Sequence, residues 1–324
     1  MDVITHFGFG ASYNMLNKPD FNLEWKETVI GGSANGVFLR QFPWAFPVLK
    51  ATPLWLLEYG NPKAAKLVAW QHMIRKQVDE ILAKNEVGKK AEGTIFQTVL
   101  DSDLPPYEKT ADRLQDEAQT VVGAGSETTA KSLSFILFFL TADPSKRQRL
   151  RDELKTVGPE NDGSFSLAKL EQLPYLTSCV LEGVRMISGV TTRLPRVAHE
   201  PMKYRDWEIP AGTPVSQMNY MVNNDPRIFP KPLEFHPERW IEAEKEGFPL
   251  QRYMVSFGKG SRSCVGINLA WAELYLALAY VVSRFDLEIF DTTAERDIMI
   301  NKDFFVGIPK PESKGVRVRV VKAW

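Results

Sequence analysis

The sequence predicts a mainly α-helical chain with a minor β region, and three observations carry that expectation. Apolar residues recur at helical spacing in several stretches. The longest is residues 109–141, where Leu114, Ala118, Val121, Val122, Gly125, Thr129 and Ile136 keep the helical period. At about 1.5 Å per residue such a helix reaches on the order of 50 Å, the width of a domain. The texture changes between residues 195 and 238, where Pro195, Pro201, Pro210, Pro214, Pro226, Pro230, Pro232 and Pro237 punctuate short strand-like pieces. Near the end, Val316-Arg317-Val318-Arg319-Val320 alternates apolar and basic residues with the period of a strand.

Taken in order, the first forty residues read as mixed helix and loop. Residues 42–60, FPWAFPVLKATPLWLLEYG, crowd prolines and aromatics together. Residues 63–83 predict a helix through Leu67, Trp70, Ile74, Val78 and Leu82, followed by a polar linker over roughly residues 84–94. Within the long helix, Ser132 to Leu140 is the greasiest stretch. It is too short to span a bilayer and reads as a buried segment. Asp143-Pro144 is a cap and restart, and residues 145–157 form a charged, exposed helix. Pro174 opens a helix over 174–187, and residues 267–284 return to helix. Internal repeats and low-complexity tracts are absent, and no clear linker divides the chain. Residues 1–324 therefore read as a single domain.

Composition narrows the function classes. With 324 residues, 44% hydrophobic and 25% charged, the chain has ordinary globular composition. Forty basic and forty acidic residues cancel, so nothing in the charge predicts a nucleic-acid partner. Two cysteines, Cys179 and Cys264, argue against a disulfide framework and fit a reducing compartment. Met1-Asp2-Val3-Ile4 has neither the basic lead-in nor the apolar run of a secretory signal or membrane anchor.

Three motifs carry chemistry. In Phe257-Gly-Lys-Gly260-Ser-Arg262-Ser-Cys264-Val-Gly266, the cysteine lies just before a helix. Free N–H groups there, and Arg262 two residues earlier, favour a thiolate. Gly258, Gly260 and Gly266 permit close approach of backbone to a flat ligand, and Phe257 can pack near a metal. Cys179 has no such frame and reads as a small buried hydrophobe. The second motif, Ala124-Gly125-Ser126-Glu127-Thr128-Thr129, breaks helix propensity in mid-helix. Thr128 or Thr129 diverting a backbone carbonyl would open a groove, where an adjacent acid and alcohol can relay protons. The alternative is a kinked packing helix. The third is Glu182-x-x-Arg185, both on one helix face, with Arg239 of Phe235-His-Pro-Glu-Arg239-Trp240 as a third member of a buried ion network. A surface salt bridge is the alternative for that pair. Gly8-Phe-Gly10 and the glycines of residues 31–36 lack a strand–turn–helix context and are not read as nucleotide-binding loops.

Together and in this order, the motifs resemble the cytochrome P-450 family. FxxGxRxCxG fits from Phe257 to Gly266, the oxygen-groove pattern fits at Ala124 to Thr129, ExxR at Glu182 and Arg185, and a PERF-like element at Pro237 to Trp240. The stretch DFFVGIPKPESKGVRVRV is similar to fungal secondary-metabolism members. The resemblance implies a cytochrome P-450 fold and a haem cofactor with Cys264 as the proximal iron ligand. Phe257, Gly260, Gly266 and the propionate contacts Arg262 and Arg196 are then cofactor-binding, and Glu127 and Thr128 guide protons to oxygen. Glu182, Arg185 and Arg239 support the fold. The implied reaction is monooxygenation of a lipophilic small molecule by O2. Electrons come from NADPH through a separate NADPH-cytochrome P-450 reductase, because no flavin or nicotinamide fingerprint appears. Substrate contacts are expected from residues before Gly125 on the long helix, from Gly189 to Thr192, and from Phe304-Phe305. The two phenylalanines read equally well as core packing. Met1-Asp-Val-Ile-Thr resembles a segment well inside the family fold. The membrane anchor, early strands and an early propionate-binding helix of full-length relatives, which sit at the endoplasmic reticulum membrane, therefore have no counterpart in this sequence. Two readings follow: an active monooxygenase, or a non-catalytic remnant. Residues 42–60 read either as a peripheral membrane contact or as a packed lid over the core.

Overall fold

Every helix that the spacing predicts forms, with ends set by local chemistry. The computed structural model describes residues 1–88 and 93–324. They fall into two units, Met1–Ala130 and Lys131–Trp324.

The first unit contains α1 (Asp2–Phe9), α2 (Leu23–Gln41), α3 (Ala45–Ala51), α4 (Leu54–Gly60), α5 (Pro62–Glu86), α6 (Ile95–Asp101) and the first part of α7 (Ala111–Ala142). Pro62 starts α5 where a missing N–H costs nothing, and the Asn61 side chain accepts from the Ala64 N–H at 3.1 Å. The predicted linker is shorter than expected. The helix α5 continues to Glu86, Thr94 caps α6, and residues 89–92 lie outside the described residues. The core gathers Trp70, Ile74 and Val78 of α5, Phe96 of α6, and Leu114, Ala118 and Val122 of α7. The prolines of residues 42–60 break that segment into α3 and α4. Leu57 of α4 is buried with Ala64, Ala65 and Val68 of α5.

In the second unit, α7 ends at Ala142 and α8 (Pro144–Val157) restarts after Asp143. The Asp143 carboxylate accepts from the N–H groups of Ser145 and Lys146, both at 3.1 Å. The helix α8 is amphipathic rather than exposed all round, with Leu150 and Leu154 buried. Next come α9 (Leu167–Leu170) and α10 (Pro174–Ile187), the latter buried from Tyr175 to Met186 except Thr177. The proline-rich stretch supplies two antiparallel pairs, β1 (Arg196–Val197) with β4 (Pro214–Val215) and β2 (Met202–Tyr204) with β3 (Trp207–Ile209). After α11 (Asn219–Asn223), α12 (Glu238–Lys245) and α13 (Ile267–Arg284), strand β5 (Phe285–Ile289) pairs antiparallel with β8 (Val318–Ala323). Between them lie α14 (Ala294–Asp297) and the hairpin β6 (Lys302–Phe304) and β7 (Val306–Ile308).

The tail strand starts at Val318, not Val316, because the Arg317 N–H is taken by the Thr292 hydroxyl at 2.9 Å. Its alternation marks no buried face, since β8 is exposed throughout. The core of this unit joins Ile136 and Leu140 of α7, Leu150 and Leu154 of α8, Leu176, Val180 and Val184 of α10, and Leu274 and Leu278 of α13. The mainly helical expectation with minor β structure is thereby met.

Candidate active site

The pair Glu182 and Arg185 lies one turn apart on α10, and both side chains are fully buried. A surface salt bridge is excluded. The Glu182 carboxylate accepts five hydrogen bonds. Arg185 donates through Nε at 3.0 Å and Nη2 at 2.8 Å, Arg239 through Nε at 3.0 Å, Trp240 through Nε1 at 3.0 Å, and His236 through its backbone N–H at 3.1 Å. Arg185 spends its other donors on the carbonyls of Asn223 at 2.7 Å and Pro232 at 2.8 Å. A charge removed from water is tolerated only when its lone pairs and protons are matched in this way.

From there the network runs toward the cysteine segment. The buried Asn223 accepts from the Val255 N–H at 3.0 Å and donates to the Ser256 hydroxyl at 2.9 Å. That hydroxyl in turn donates to the Val184 carbonyl at 2.8 Å. Trp240, Asn223 and Ser256 were missed in the sequence. Only Trp240 left a signal, by standing next to Arg239 in the quoted motif.

The next residues build the loop. Phe257 packs at a tilt against Trp271 of α13, with ring centroids 5.4 Å apart. The Phe257 carbonyl accepts the Cys264 N–H at 2.8 Å, closing a loop around the single turn Gly260–Arg262. Gly260 sits at φ 74° with open space beyond it. Gly266 caps α13, and its carbonyl takes the Ala270 N–H at 2.9 Å. The Cys264 thiol is exposed and the Val265 side chain is 97% exposed. The structure thus gathers Phe257, Gly260, Arg262, Cys264 and Gly266 into one loop and helix start. Arg196 stands on a different element, β1, with Nη1 bonded to the Pro195 carbonyl at 3.0 Å. Among the described residues neither Arg196 nor Arg262 pairs with a carboxylate. Cys179 is fully buried, and burial pushes its thiol well up from the ordinary value, so it stays a structural residue as expected.

Gly189 to Thr192 and Phe304-Phe305, separate candidates in the sequence, come together. A Cβ at Gly189 would lie 2.6 Å from the Ser256 carbonyl oxygen, so only glycine admits this approach to the cysteine segment. Val190 bridges Val306, and the Thr191 N–H donates to the Phe305 carbonyl at 3.0 Å.

The α7 motif lies in the first unit. The Thr128 hydroxyl donates to the Ala124 carbonyl at 2.9 Å and the Ser126 hydroxyl to Val122 at 3.1 Å. The expected sharing of a carbonyl is present, yet the helix runs unbroken through it. Gly125 has a packing reason of its own. A Cβ there would come within 2.8 Å of Ile4 Cγ1. Glu127 and Thr128 are half-buried.

These donors fit a haem. An exposed thiol in a loop beside exposed apolar surface, with two arginines that lack acidic partners, matches an iron ligand, a flat apolar macrocycle and its carboxylates. Among the described residues no group of three or more His, Cys, Asp or Glu gathers to hold a metal ion. The model of the cytochrome P-450 family matches residues 1–314. The chain belongs to the cytochrome P-450 family.

Its relatives include the cytochrome P-450 monooxygenase claJ of Penicillium crustosum, 41% identical over 98% of this chain and 73% of that protein. The N-acetyltryptophan 6-hydroxylase ivoC of Emericella nidulans is 40% identical over 99% of this chain and 64% of its own length. The cytochrome P-450 monooxygenase TRI4 of Trichoderma arundinaceum is 39% identical over 99% of this chain and 63% of its own length. The likeness to fungal members of the family is borne out. The chain thus spans just under two thirds of the length of two of these three cytochrome P-450 relatives. Among the described residues no helix is long and apolar enough to cross a membrane.

Proposed function

We propose that this chain is a haem-thiolate monooxygenase that inserts one oxygen atom from O2 into a lipophilic small molecule of fungal secondary metabolism. The observation that carries it is the exposed Cys264 thiol, held ahead of α13 by the bond from its N–H to the Phe257 carbonyl at 2.8 Å. In the balanced reaction a C–H bond becomes C–OH. The second oxygen atom leaves as water with two electrons and two protons. The electrons come from NADPH through a separate reductase. The relatives' names support this reaction class, and one names a hydroxylation outright. They lend no support to a non-catalytic remnant.

Haem held by Cys264 would supply the iron that activates oxygen, with the thiolate as its protein ligand. The chain's own residues do the rest. Arg262 and Arg196 would hold the cofactor's carboxylates by charge-assisted hydrogen bonds. Phe257 fixes the loop through Trp271, and Gly260 and Gly266 keep its surface open. Thr128, whose hydroxyl rests on the Ala124 carbonyl, and Glu127 pass protons inward from solvent. Phe304, Phe305 and residues 189–192 orient an apolar substrate and exclude water.

The test is spectroscopic. The chain loaded with haem, reduced and given carbon monoxide is expected to show the red-shifted Soret band of a thiolate-ligated iron. Cys264→Ala is expected to lose that band. A mutant that keeps the band rules out Cys264 as the ligand, and a wild-type chain that takes up no haem overturns the proposal.

A further inference from the structure

The tip of the β6–β7 hairpin is built against its own interest. Phe305 sits between the paired residues Phe304 and Val306 at φ 73°, in the left-handed region where glycine or asparagine costs least. Its ring is 41% exposed, so burial does not offset the strain. An observed outlier of this kind points to something that both needs the residue and holds it in place.

The holding group is Asp303. Its Oδ1 accepts from the hydroxyls of Thr191 at 2.8 Å and Thr192 at 2.7 Å and from the Phe305 N–H at 3.1 Å, and its Oδ2 accepts from Thr192 at 2.8 Å. Thr191 and Thr192 are buried, so their hydroxyls need that acceptor. The Thr191 N–H returns the grip by donating to the Phe305 carbonyl at 3.0 Å. One carboxylate therefore ties the strained tip to the segment after α10. That segment is already fixed to the cysteine loop where Gly189 meets Ser256. A hairpin selected for stability alone would relax by placing glycine at the tip. What the clamp preserves is the position of an exposed aromatic ring.

We infer that Asp303 is a positioning residue that sets substrate size preference by holding the Phe305 ring in place. This rests on the proposed haem-thiolate reading, in which Phe305 meets the substrate.

The experiment measures spectral dissociation constants of the haem-loaded chain for imidazole and for 1-phenylimidazole, which differ by an apolar ring. Asp303→Ala is expected to shrink the preference for the larger azole roughly three- to tenfold. Phe305→Ala should do the same, and the double variant should match Phe305→Ala alone. Asp303→Asn keeps the oxygen that takes three of the four bonds and should retain most of the preference. In the haem-free chain, Asp303→Ala should speed amide exchange at Thr191 and Phe305 while leaving the β5–β8 pair unchanged. If Asp303→Ala does not fold, Thr191→Val with Thr192→Val removes the grip from the other side and is read the same way. An unchanged ratio in whichever variant folds, or a loss that persists in full on the Phe305→Ala background, overturns the inference while the haem reading stands. A chain that takes up no haem and binds neither azole overturns both.

Discussion

At the scale of single residues, Glu182 concentrates the risk. Its carboxylate is fully buried and faces two guanidinium groups, an indole N–H and a backbone N–H. Removing the charge leaves Arg185 and Arg239 buried without their counter-ion, a change of about 3–5 kcal/mol. Glu182→Gln is therefore expected to lose that much stability in urea unfolding, and an unchanged midpoint would contradict the network's role. Thr128 carries a different load. Thr128→Ala removes the hydroxyl that rests on Ala124 and should lower the share of NADPH electrons recovered as product, while Thr128→Ser should retain it. Equal coupling in both variants would remove Thr128 from the proton path. Glu182 and Arg185 were legible in the sequence because their spacing is local, one helical turn, and Arg239 because it stands in a short motif of its own. Asn223, Pro232 and Asp303 were not, since each reaches its partner across more than thirty residues and no short pattern encodes that meeting.

At the scale of elements, legibility followed local chemistry in the same way. The helix α8 was read from Asp143-Pro144 alone, and the structure shows why. The aspartate accepts two N–H groups at the helix start, and Lys146 pairs with it at 2.5 Å. The hydrogen bond from Lys146 and those from the backbone hold the Asp143 carboxyl at about 2, below its ordinary 3.8. A depressed carboxylate contributes stability that is fully present above the unfolded value, and this contribution is lost as pH falls through the folded one. The cap should thus weaken between pH 4 and pH 2. Asp143→Ala should cost about 1 kcal/mol at neutral pH and nothing further below pH 2. Melts of α8 followed by amide exchange across that window check it, and a cost that stays constant down to pH 1.5 would be inconsistent with a charged cap. The strands were harder to read. Strands β1 and β4 are two residues long, too short to show a period, and β8 alternates without a buried face. Its start at Val318 is set by Thr292, a partner no pattern in the tail announces.

At the scale of the whole molecule, the lack of a linker in the sequence reads as one domain, and the chain falls into two units, Met1–Ala130 and Lys131–Trp324. Residues 42–60 read either as a lid or as a membrane contact, and their exposed aromatics favour the second. A packed lid buries its aromatics. Here Leu57 alone of the large apolar side chains in α4 is buried, while Trp44 is 67%, Trp55 70% and Tyr59 91% exposed. Phe42 packs against both Phe38 and Trp44, and all three are exposed. We propose that this surface rests in the interfacial layer of a bilayer, where aromatic rings with a polar handle are favoured. Residues 42–60 contain one basic and one acidic residue, Lys50 and Glu58, so the contact should depend on apolar burial and not on anionic lipid. Burying each indole is worth about 1–2 kcal/mol, so losing both should lower membrane partitioning at least tenfold. The full chain is expected to float with zwitterionic phosphatidylcholine vesicles in a density gradient, equally at low and high salt. Trp44→Ser with Trp55→Ser should leave most of it in the dense fraction while the circular dichroism stays unchanged. Flotation that requires anionic lipid, or that survives the double substitution, would move the contact to another surface.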